Sequence, residues 1–310
     1  MKKNCIEKVI KLIEDSQYRF FILDNLGFYN KIDDKKFLKK KYRTIMGQEL
    51  NLNNPQSFNE KLQWLKLYNR SPEYAILVDK YKVREYVAKN IGEEYLIPLL
   101  GVWDYPEEIN FNALPKRFVL KCNHNSGLGM CICKDKSELN IKMVKKQLRK
   151  GLKQDYYLTG REWPYKNVER KIICEKYMED NDNKIGQLTD YKFFCFNGYV
   201  DCVMVCTERQ SGEPKFYFFD REWKLLRYNI RGKEAPKDFT IEKPKRMNDM
   251  FKIAEKLSKN LTFIRVDLYC CNEKIYFGEL TFFPDSGFDK NLLPETDIRW
   301  GNMINLKGVK

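Results

Sequence analysis

One stretch near the C-terminal end, residues 261–287, constrains this chain more than any other. It reads Phe263-Ile264-Arg265-Val266-Asp267-Leu268-Tyr269, a polar connection at Asn272-Glu273-Lys274, then Ile275-Tyr276-Phe277-Gly278-Glu279-Leu280-Thr281-Phe282-Phe283-Pro284. Two β-branched and aromatic runs around a short polar break predict a β-hairpin. Alternation places Arg265, Asp267 and Tyr269 on one face, and Ile264, Val266 and Leu268 on the other. On the second run, Glu279 and Thr281 fall on the face of Ile275 and Phe277. Carboxylates inside such apolar runs need partners, because an unpaired buried charge costs several kcal/mol.

Register decides whether these groups meet. In an antiparallel pair the numbers of facing residues have a constant sum. A two-residue turn at Asn272-Glu273 sets Asp267 opposite Gly278 and sends Glu279 to the other face. A three-residue connection, 272–274, sets Asp267 opposite Glu279 and Arg265 opposite Thr281. The second register is expected, since it alone gathers two acids and an arginine. Two meanings stay open at this point: a salt-bridged hairpin edge, or a pair of acids bridged by a cation.

The 310 residues allow one large domain or two packed ones, and 14% aromatic content argues against disorder. The net charge of +14, from 57 basic and 43 acidic residues, suits an anionic partner. The basic residues are spread along the whole chain, with neither a tail nor a nucleic-acid-binding module, so nucleic acid is not expected; a lysine-rich composition accounts for the charge equally well. Ten cysteines in a chain of this length do not make a disulfide scaffold. No apolar leader follows Lys2-Lys3, and no apolar run approaches the roughly 18 residues of a membrane span. The expectation is a cytoplasmic protein with free thiols. Cys131-Ile132-Cys133 and Cys270-Cys271 lack zinc-ligand spacing, and the single histidine, His124, excludes a multi-histidine metal centre.

Helical spacing is expected over much of residues 1–30 (Ile6, Val9, Ile10, Ile13, Phe20, Phe21, Leu23), followed by a basic amphipathic helix over 33–47. Ser57 and Glu60 have capping-box spacing ahead of a helix whose stripe is Leu62, Trp64, Leu65, Leu67 and Tyr68. Ala75 to Val87 reads as one helix containing Asp79-Lys80. Strands are expected over 95–103, 118–121, 130–133 and 168–178, and a basic helix over 137–153. Polar loops follow at 179–189 and 210–214. Further strands span 191–196, 199–207 and 215–220, with a hairpin turn at Asn197-Gly198. A helix over 246–257 leads into the opening stretch. The loop Asn123-His124-Asn125-Ser126-Gly127-Leu128-Gly129 suits an anion, because glycines let backbone amides approach phosphate oxygens. It is no Walker loop, since no Gly-Lys-Ser/Thr and helix follow.

Five features stand in a fixed order: Asp79-Lys80; Phe118-Val119-Leu120-Lys121 before the Ser-Gly loop; Ile172-Ile173-Cys174-Glu175; Asp190-Tyr191-Lys192; and Arg265-Val266-Asp267 with Gly278-Glu279 through Gly287. This order resembles the ATP-grasp superfamily, and within it the TupA-like (teichuronopeptide biosynthesis) branch of bacterial surface-polysaccharide clusters. The resemblance covers residues of about 75 to 305. It implies an α+β fold, with ATP clasped between two α+β subdomains built on mainly antiparallel sheets. In these terms residues 1–75 form a helical N-terminal segment and 76–310 the catalytic region, with a lid-like part at about 115–178 and a metal-bearing part at about 187–310.

The same resemblance assigns roles. Lys80 and Lys121 would reach nucleotide phosphates, with Lys192 as a further phosphate-side lysine. Asn123, His124, Asn125, Ser126 and Gly127 lie in the loop that would close over them. Glu175 would mark the adenine hinge, with backbone contacts from Lys176, Tyr177 and Met178. Asp267 and Glu279 would bind magnesium, with manganese as the alternative ion. Arg265 would stabilise charge on an acyl phosphate. Two departures stand out: Thr281 occupies the place of a family asparagine that completes the metal shell, and residues 1–75 replace a doubly wound N-terminal sheet. The implied activity is ATP-dependent ligation of a carboxylate to an amine, on an acidic sugar or polysaccharide precursor with an amino acid or other amine, at or near the inner membrane surface. A sugar kinase on the same site, and a glycosyltransferase or glycan-binding protein, are the alternatives; no paired-aspartate sugar-nucleotide motif favours the last.

Overall fold

The computed structural model describes residues 11–179, 189–207 and 214–307. Ile6, Val9 and Ile10 of the first expected helix, and most of the polar loops expected at 179–189 and 210–214, lie outside the described residues. The N-terminal third is helical because its apolar residues recur at helical spacing between good caps. Helix α1 (Ser16–Asn25) starts at Asp15, which accepts from the Tyr18 amide. Helix α2 (Asp34–Met46) is capped by Asp33 and stopped by Gly47 at φ 73°. Helix α3 (Phe58–Tyr68) begins with the expected capping box, in which Ser57 accepts from the Glu60 amide and Glu60 answers at the Ser57 amide.

The single helix expected over 75–87 is two: α4 (Glu73–Val78) and α5 (Val83–Asn90). Asp79 breaks it. Its Oδ1 accepts from the amides of Tyr81 and Lys82 at 2.8 and 3.2 Å, offering the backbone a local turn in place of helix bonds. Buried Asp79 also accepts from Asn123 Nδ2 at 2.8 Å.

Two antiparallel sheets follow. The first contains β1 (Leu99–Trp103), β2 (Phe118–Cys122), β3 (Cys131–Cys133) and β4 (Ile172–Lys176) in the order β1-β4-β2-β3. Helix α6 (Ile141–Lys153) covers it, burying Val144 and Leu148 with Phe118, Leu120, Ile172 and Cys174. Past α6 come a short helix α7 (Tyr156–Gly160) and a tight helical turn, Trp163–Asn167. The second sheet runs β10-β9-β5-β6-β7-β8, from β5 (Asp190–Phe196), β6 (Tyr199–Thr207), β7 (Lys215–Phe219), β8 (Leu225–Leu226), β9 (Phe263–Cys271) and β10 (Lys274–Thr281). Helix α8 (Ile230–Glu234) leads to α9 (Met247–Leu257), which packs Met250, Phe251 and Ala254 into the sheet's core. Helix α10 (Pro294–Met303) contributes the fully buried Trp300, stacked on Phe194 at 4.7 Å.

Helix α3 belongs to this same core: the Phe58 ring lies 4.9 Å from Phe263 and 5.2 Å from Trp300. Packing therefore does not divide the chain at residue 75. Cys122, Cys133, Cys174 and Cys195 are buried free thiols. Among the described residues no helix is long and apolar enough to cross a membrane.

The β9–β10 hairpin corrects the expected connection. Lys274 pairs with Cys271, so the turn is the two residues Asn272-Glu273, both at positive φ (49° and 59°), which is the geometry that matches strand twist. That turn alone would set Asp267 opposite Gly278. Instead the register shifts between Phe277 and Glu279, and Glu279 pairs with Asp267 and Thr281 with Arg265. The extra residue is Gly278, in a β-bulge. The bulge also breaks the simple alternation: Ile275 and Phe277 are buried in the core, while Glu279 and Thr281 point to Arg265 on the opposite face. They do not share a face with Ile275 and Phe277 as expected.

Candidate functional site

The site is built outward from Asp267. Strand β5 pairs with β9 so that Lys192 stands opposite Asp267, and β10 places Glu279 on its other side. Lys192 Nζ donates to Asp267 Oδ2 at 2.5 Å. Arg265, two residues along the same face, donates from Nε to Oδ1 and from Nη2 to Oδ2, both at 2.7 Å. The carboxylate is 1% exposed, and two cations span both its oxygens. Burial opposes its charge, but Arg265 and then Lys192 outweigh burial and hold the carboxyl below its ordinary range. Burial likewise opposes the charge on Lys192 and Arg265, and Asp267 raises both.

Glu279 is the open acid, with a side chain 36% exposed. Its Oε1 lies 3.4 Å from Arg265 Nη2, and its Oε2 is 3.7 Å from Lys80 Nζ. The Thr281 hydroxyl accepts from Arg265 Nη2 at 3.1 Å and sits 3.5 Å from Glu279 Oε1.

Lys80 joins this sheet to the first one. Its Nζ donates to the Asn125 carbonyl at 2.8 Å, and its backbone amide donates to the Asn123 carbonyl at 3.1 Å. Burial pulls its pKa down, Glu279 pushes it up, and neighbouring Lys121 lowers it. Lys121 Nζ pairs with Glu175 Oε2 at 2.6 Å across β2 and β4, and Arg84 Nη1 stands 3.9 Å from Glu175 Oε1. Lys80, Lys121, Lys192 and Arg265 thus belong to one network of charges with Glu175, Asp190, Asp267 and Glu279. Beyond Glu175, Lys176 is exposed and its amide donates to the Pro98 carbonyl at 2.9 Å. Tyr177 and Met178 follow the strand's end, with Arg117 over the Tyr177 ring at 5.5 Å.

The 123–129 loop divides in two. Asn123, His124 and Asn125 turn their side chains into the protein. Asn123 Nδ2 donates to Asp79 and to the Glu169 carbonyl, both at 2.8 Å, and Asn125 Nδ2 donates to the Gly151 carbonyl at 3.3 Å. His124 Nε2 lies 3.1 Å from the Gln154 carbonyl, its Nδ1 has no hydrogen-bond partner among the described residues, and burial pushes its pKa down to about 4. These side chains brace the loop, and the Asn125 carbonyl faces Lys80 Nζ. Ser126 and Gly127 form its exposed tip, with Gly127 at φ 79° and open space where a Cβ would stand.

Sequence reasoning missed a second wall. Tyr156, Tyr165 and Glu162 are within electrostatic reach of Arg265, as is Asp285. Burial raises both tyrosines, and the Glu162 and Glu279 charges raise them further. Burial also raises Glu162, against the opposing pull of Lys66. Asp285 lay within the motif stretch but carried no signal beyond a turn; Tyr156 and Tyr165 carried none.

Magnesium requires hard oxygen donors, and settles for one or two carboxylates beside phosphates and water. The oxygens of Glu279, Asp267 and Thr281 fit that chemistry. Glu279 is the accessible donor, while Asp267 could serve only by yielding a contact to Lys192 or Arg265. Among the described residues no group of three or more His, Cys, Asp or Glu forms an all-protein metal cage.

The D-alanine–D-alanine ligase of Bacillus anthracis, solved with ATP, is 18% identical over 74% of this chain, with a TM-score of 0.44. The chain spans 63% of that enzyme's length. The Helicobacter pylori D-alanine–D-alanine ligase is 13% identical over 81% of this chain and 69% of its own, with a TM-score of 0.45. The ATP-grasp ligase PsnB, solved with a phosphomimetic variant of its minimal precursor, Mg and ADP, is 10% identical over 90% of this chain and 71% of its own, with a TM-score of 0.41. No curated protein matches the chain. The family model described as TupA-like ATP-grasp matches residues 60–305, a span that runs from α3 through the cation cluster to α10, and the chain belongs to that family and has its ATP-grasp α+β fold.

Proposed function

We propose that this protein is an ATP- and magnesium-dependent carboxylate–amine ligase acting through an acyl phosphate. The observation that carries the reading is the part-exposed Glu279 set between Lys80 and Arg265, with the Lys121–Glu175 and Lys192–Asp267 pairs on the neighbouring strands. Cationic side chains gathered beside an accessible acid suit the phosphates and metal of a nucleotide such as ATP. In this reading Lys80 and Lys121 hold phosphate oxygens, and the Ser126–Gly127 tip covers them with backbone amides. Glu175 and the 176–178 backbone border the adenine. Glu279 and Thr281, with Asp267 where it yields a contact to Lys192 or Arg265, would hold magnesium, which would supply charge neutralisation at the phosphates.

The reaction needs no protein nucleophile. A substrate carboxylate oxygen attacks the γ-phosphorus; the O–P bond forms as the bond to the β,γ-bridging oxygen breaks, releasing ADP. The amine nitrogen then attacks the acyl carbon and loses a proton, the C–O bond to phosphate breaks, and phosphate leaves. Arg265 is fixed by Asp267 at two points, so its guanidinium is oriented before charge develops on the acyl oxygens. Lys192 holds the same carboxylate from the other strand and lies 3.5 Å from Asp190.

An acidic sugar or polysaccharide precursor as carboxylate, and an amino acid or other amine as nucleophile, are the proposed substrates; the family context and the positive charge support them. Leu26 and Phe28, each 68% exposed near the basic helix α2, support a peripheral contact with an anionic membrane surface, which co-sedimentation with anionic vesicles would test. The decisive assay is ADP release from ATP and magnesium with a panel of uronic acids and amines. Release that requires both, with free phosphate as second product, is expected. Turnover leaving a stable phosphate ester would favour a sugar kinase, and protection by UDP-sugars but not ATP would refute the reading.

A further inference from the structure

Asn123 is completely buried, and every polar atom it has is hydrogen-bonded. Its backbone amide donates to the Lys171 carbonyl at 3.0 Å, and its carbonyl accepts from the Lys80 amide at 3.1 Å. Its side-chain Oδ1 accepts from the Lys171 amide at 2.8 Å, while Nδ2 donates to the Glu169 carbonyl and to Asp79 Oδ1, both at 2.8 Å. One residue therefore joins the end of β2, the approach to β4 and the break between α4 and α5. A buried amide so fully satisfied is costly to misplace, because each bond it drops leaves a donor or acceptor with no water to replace the partner.

Asp79 is the far end of this link. It is 1% exposed, and its lysine neighbours turn elsewhere: Lys80 Nζ lies 3.7 Å from Glu279 Oε2, and Lys82 Nζ 3.4 Å from Glu169 Oε2. The hydrogen bonds that Asp79 accepts among the described residues all fall on Oδ1, from the amides of Tyr81 and Lys82 and from Asn123. The two local bonds close the turn directly after Lys80. The third comes from 44 residues away and ties that turn to the loop. Lys80 itself is held at both ends, its amide on the Asn123 carbonyl and its Nζ on the Asn125 carbonyl at 2.8 Å. Asn125 is buried in turn, with Nδ2 on the Gly151 carbonyl at 3.3 Å. A lysine side chain is a flexible four-carbon stem whose ordering costs rotamer entropy; here one short loop fixes both its backbone and its head.

We infer that Asn123 and Asp79 are positioning residues for Lys80. They fasten its backbone to the 123–125 loop, so that its ammonium group stands between the Asn125 carbonyl and Glu279, where the nucleotide reading puts phosphate. The inference rests on that reading. Neither residue needs to touch the nucleotide: each acts through Lys80, by removing ordering cost that phosphate binding would otherwise carry. Asp79 works as a hydrogen-bond acceptor through one oxygen, so an asparagine in its place keeps the link. A serine hydroxyl there still closes the local turn but is too short to reach Asn123.

The test measures ATP binding to the full-length protein with magnesium by isothermal titration, beside a thermal melt that reports folding. Asn123→Ala and Asp79→Ser are each expected to weaken ATP binding about tenfold. Asp79→Asn is expected to stay within about twofold of the unmodified protein. The same substitutions are then made in Lys80→Met, where Lys121 and the metal-side acids still support measurable binding. There Asn123→Ala or Asp79→Ser is expected to add less than about twofold, because the residue through which they act is gone. Asp79→Ser carries the comparison should Asn123→Ala fail to fold. A role confined to the fold would lower the melt and leave the affinity of the folded protein unchanged. That result, the same loss recurring in full in Lys80→Met, or Asp79→Asn binding as weakly as Asp79→Ser, overturns the inference and leaves the nucleotide reading standing. Absence of ATP binding by the unmodified protein refutes that reading, and the inference with it.

Discussion

The backbone of Gly278 lies against the carbonyl of Asp267, where a Cβ would stand 2.9 Å from the oxygen. That approach is what lets the strand bulge, and the bulge is what turns Glu279 toward Asp267 after a two-residue turn that would otherwise have sent it away. Gly278→Val adds a β-branched side chain that favours a regular strand and clashes with the bulged one. The expected outcome is destabilisation of about 1–3 kcal/mol and loss of nearly all ATP turnover. A thermal melt and an ADP-release assay check it together; full activity with an unchanged melt would mean that the bulge does not set the site.

The hairpin shows how far the sequence could be read. Apolar alternation and the two acids made a paired site the expectation, and the Asp267–Glu279 pairing is present. The route was misread, because the choice was posed as turn length alone. A lone glycine inside a strand is itself a bulge signal, and Gly278 offered it. The capping box at Ser57–Glu60 was legible for the opposite reason: its partners are three residues apart. Lys66 was not legible. A lysine on an amphipathic helix reads as solvated, and its acceptors at Gly160 and Ser286 lie 94 and 220 residues away. The inward turn of His124 was not legible for a similar cause, since a polar loop residue gives no hint that the Gln154 carbonyl will draw it inward.

Asp267 and Glu279 should separate on mutation. Removing the charge of Asp267 takes the closest counter-ion from buried Lys192 and Arg265, leaving them Asp190 at 3.5 Å and Glu279 at 3.4 Å, and breaking a buried pair costs about 3–5 kcal/mol. Asp267→Asn is therefore expected to lose both stability and activity. Glu279→Gln changes an acid that is 36% exposed and shares its cations with other acids. It should lower magnesium-dependent turnover about a hundredfold while the melting temperature stays within a few degrees. A Glu279→Gln variant at full activity would exclude Glu279 from the metal role.

Lys121 and Glu175 test the nucleotide end. Their 2.6 Å pair leaves the Lys121 side chain part-exposed while Glu175 is buried, with Arg84 3.9 Å away as its other cation. Lys121→Met should weaken ATP binding about tenfold or more, as loss of a phosphate-side cation does, with a lower melt for want of Glu175's close partner. Isothermal titration with ATP and magnesium reads the effect. Equal affinity in both proteins would assign Lys121 to Glu175 alone.

His124 makes a prediction about pH that depends on no substrate. It is the one histidine of the chain, so its imidazole can be followed alone by NMR. Burial lowers its pKa from the ordinary 6.5 to about 4, opposed by the Gln154 carbonyl and assisted by the nearby Arg170 and Lys80 charges. Between those values the unfolded chain binds a proton that the folded chain refuses, so stability rises with pH across this window. Read in the acid direction, the folded protein is penalised progressively as pH falls from about 6.5 toward 4, and no further below that, where both states are protonated. His124→Gln removes this contribution. The variant is expected to lose less melting temperature than the unmodified protein between these pH values, even if it starts lower for want of the imidazole's packing. An imidazole midpoint near 6.5 in the folded protein, or parallel losses in the two proteins, would show that the ring is not held neutral inside the loop.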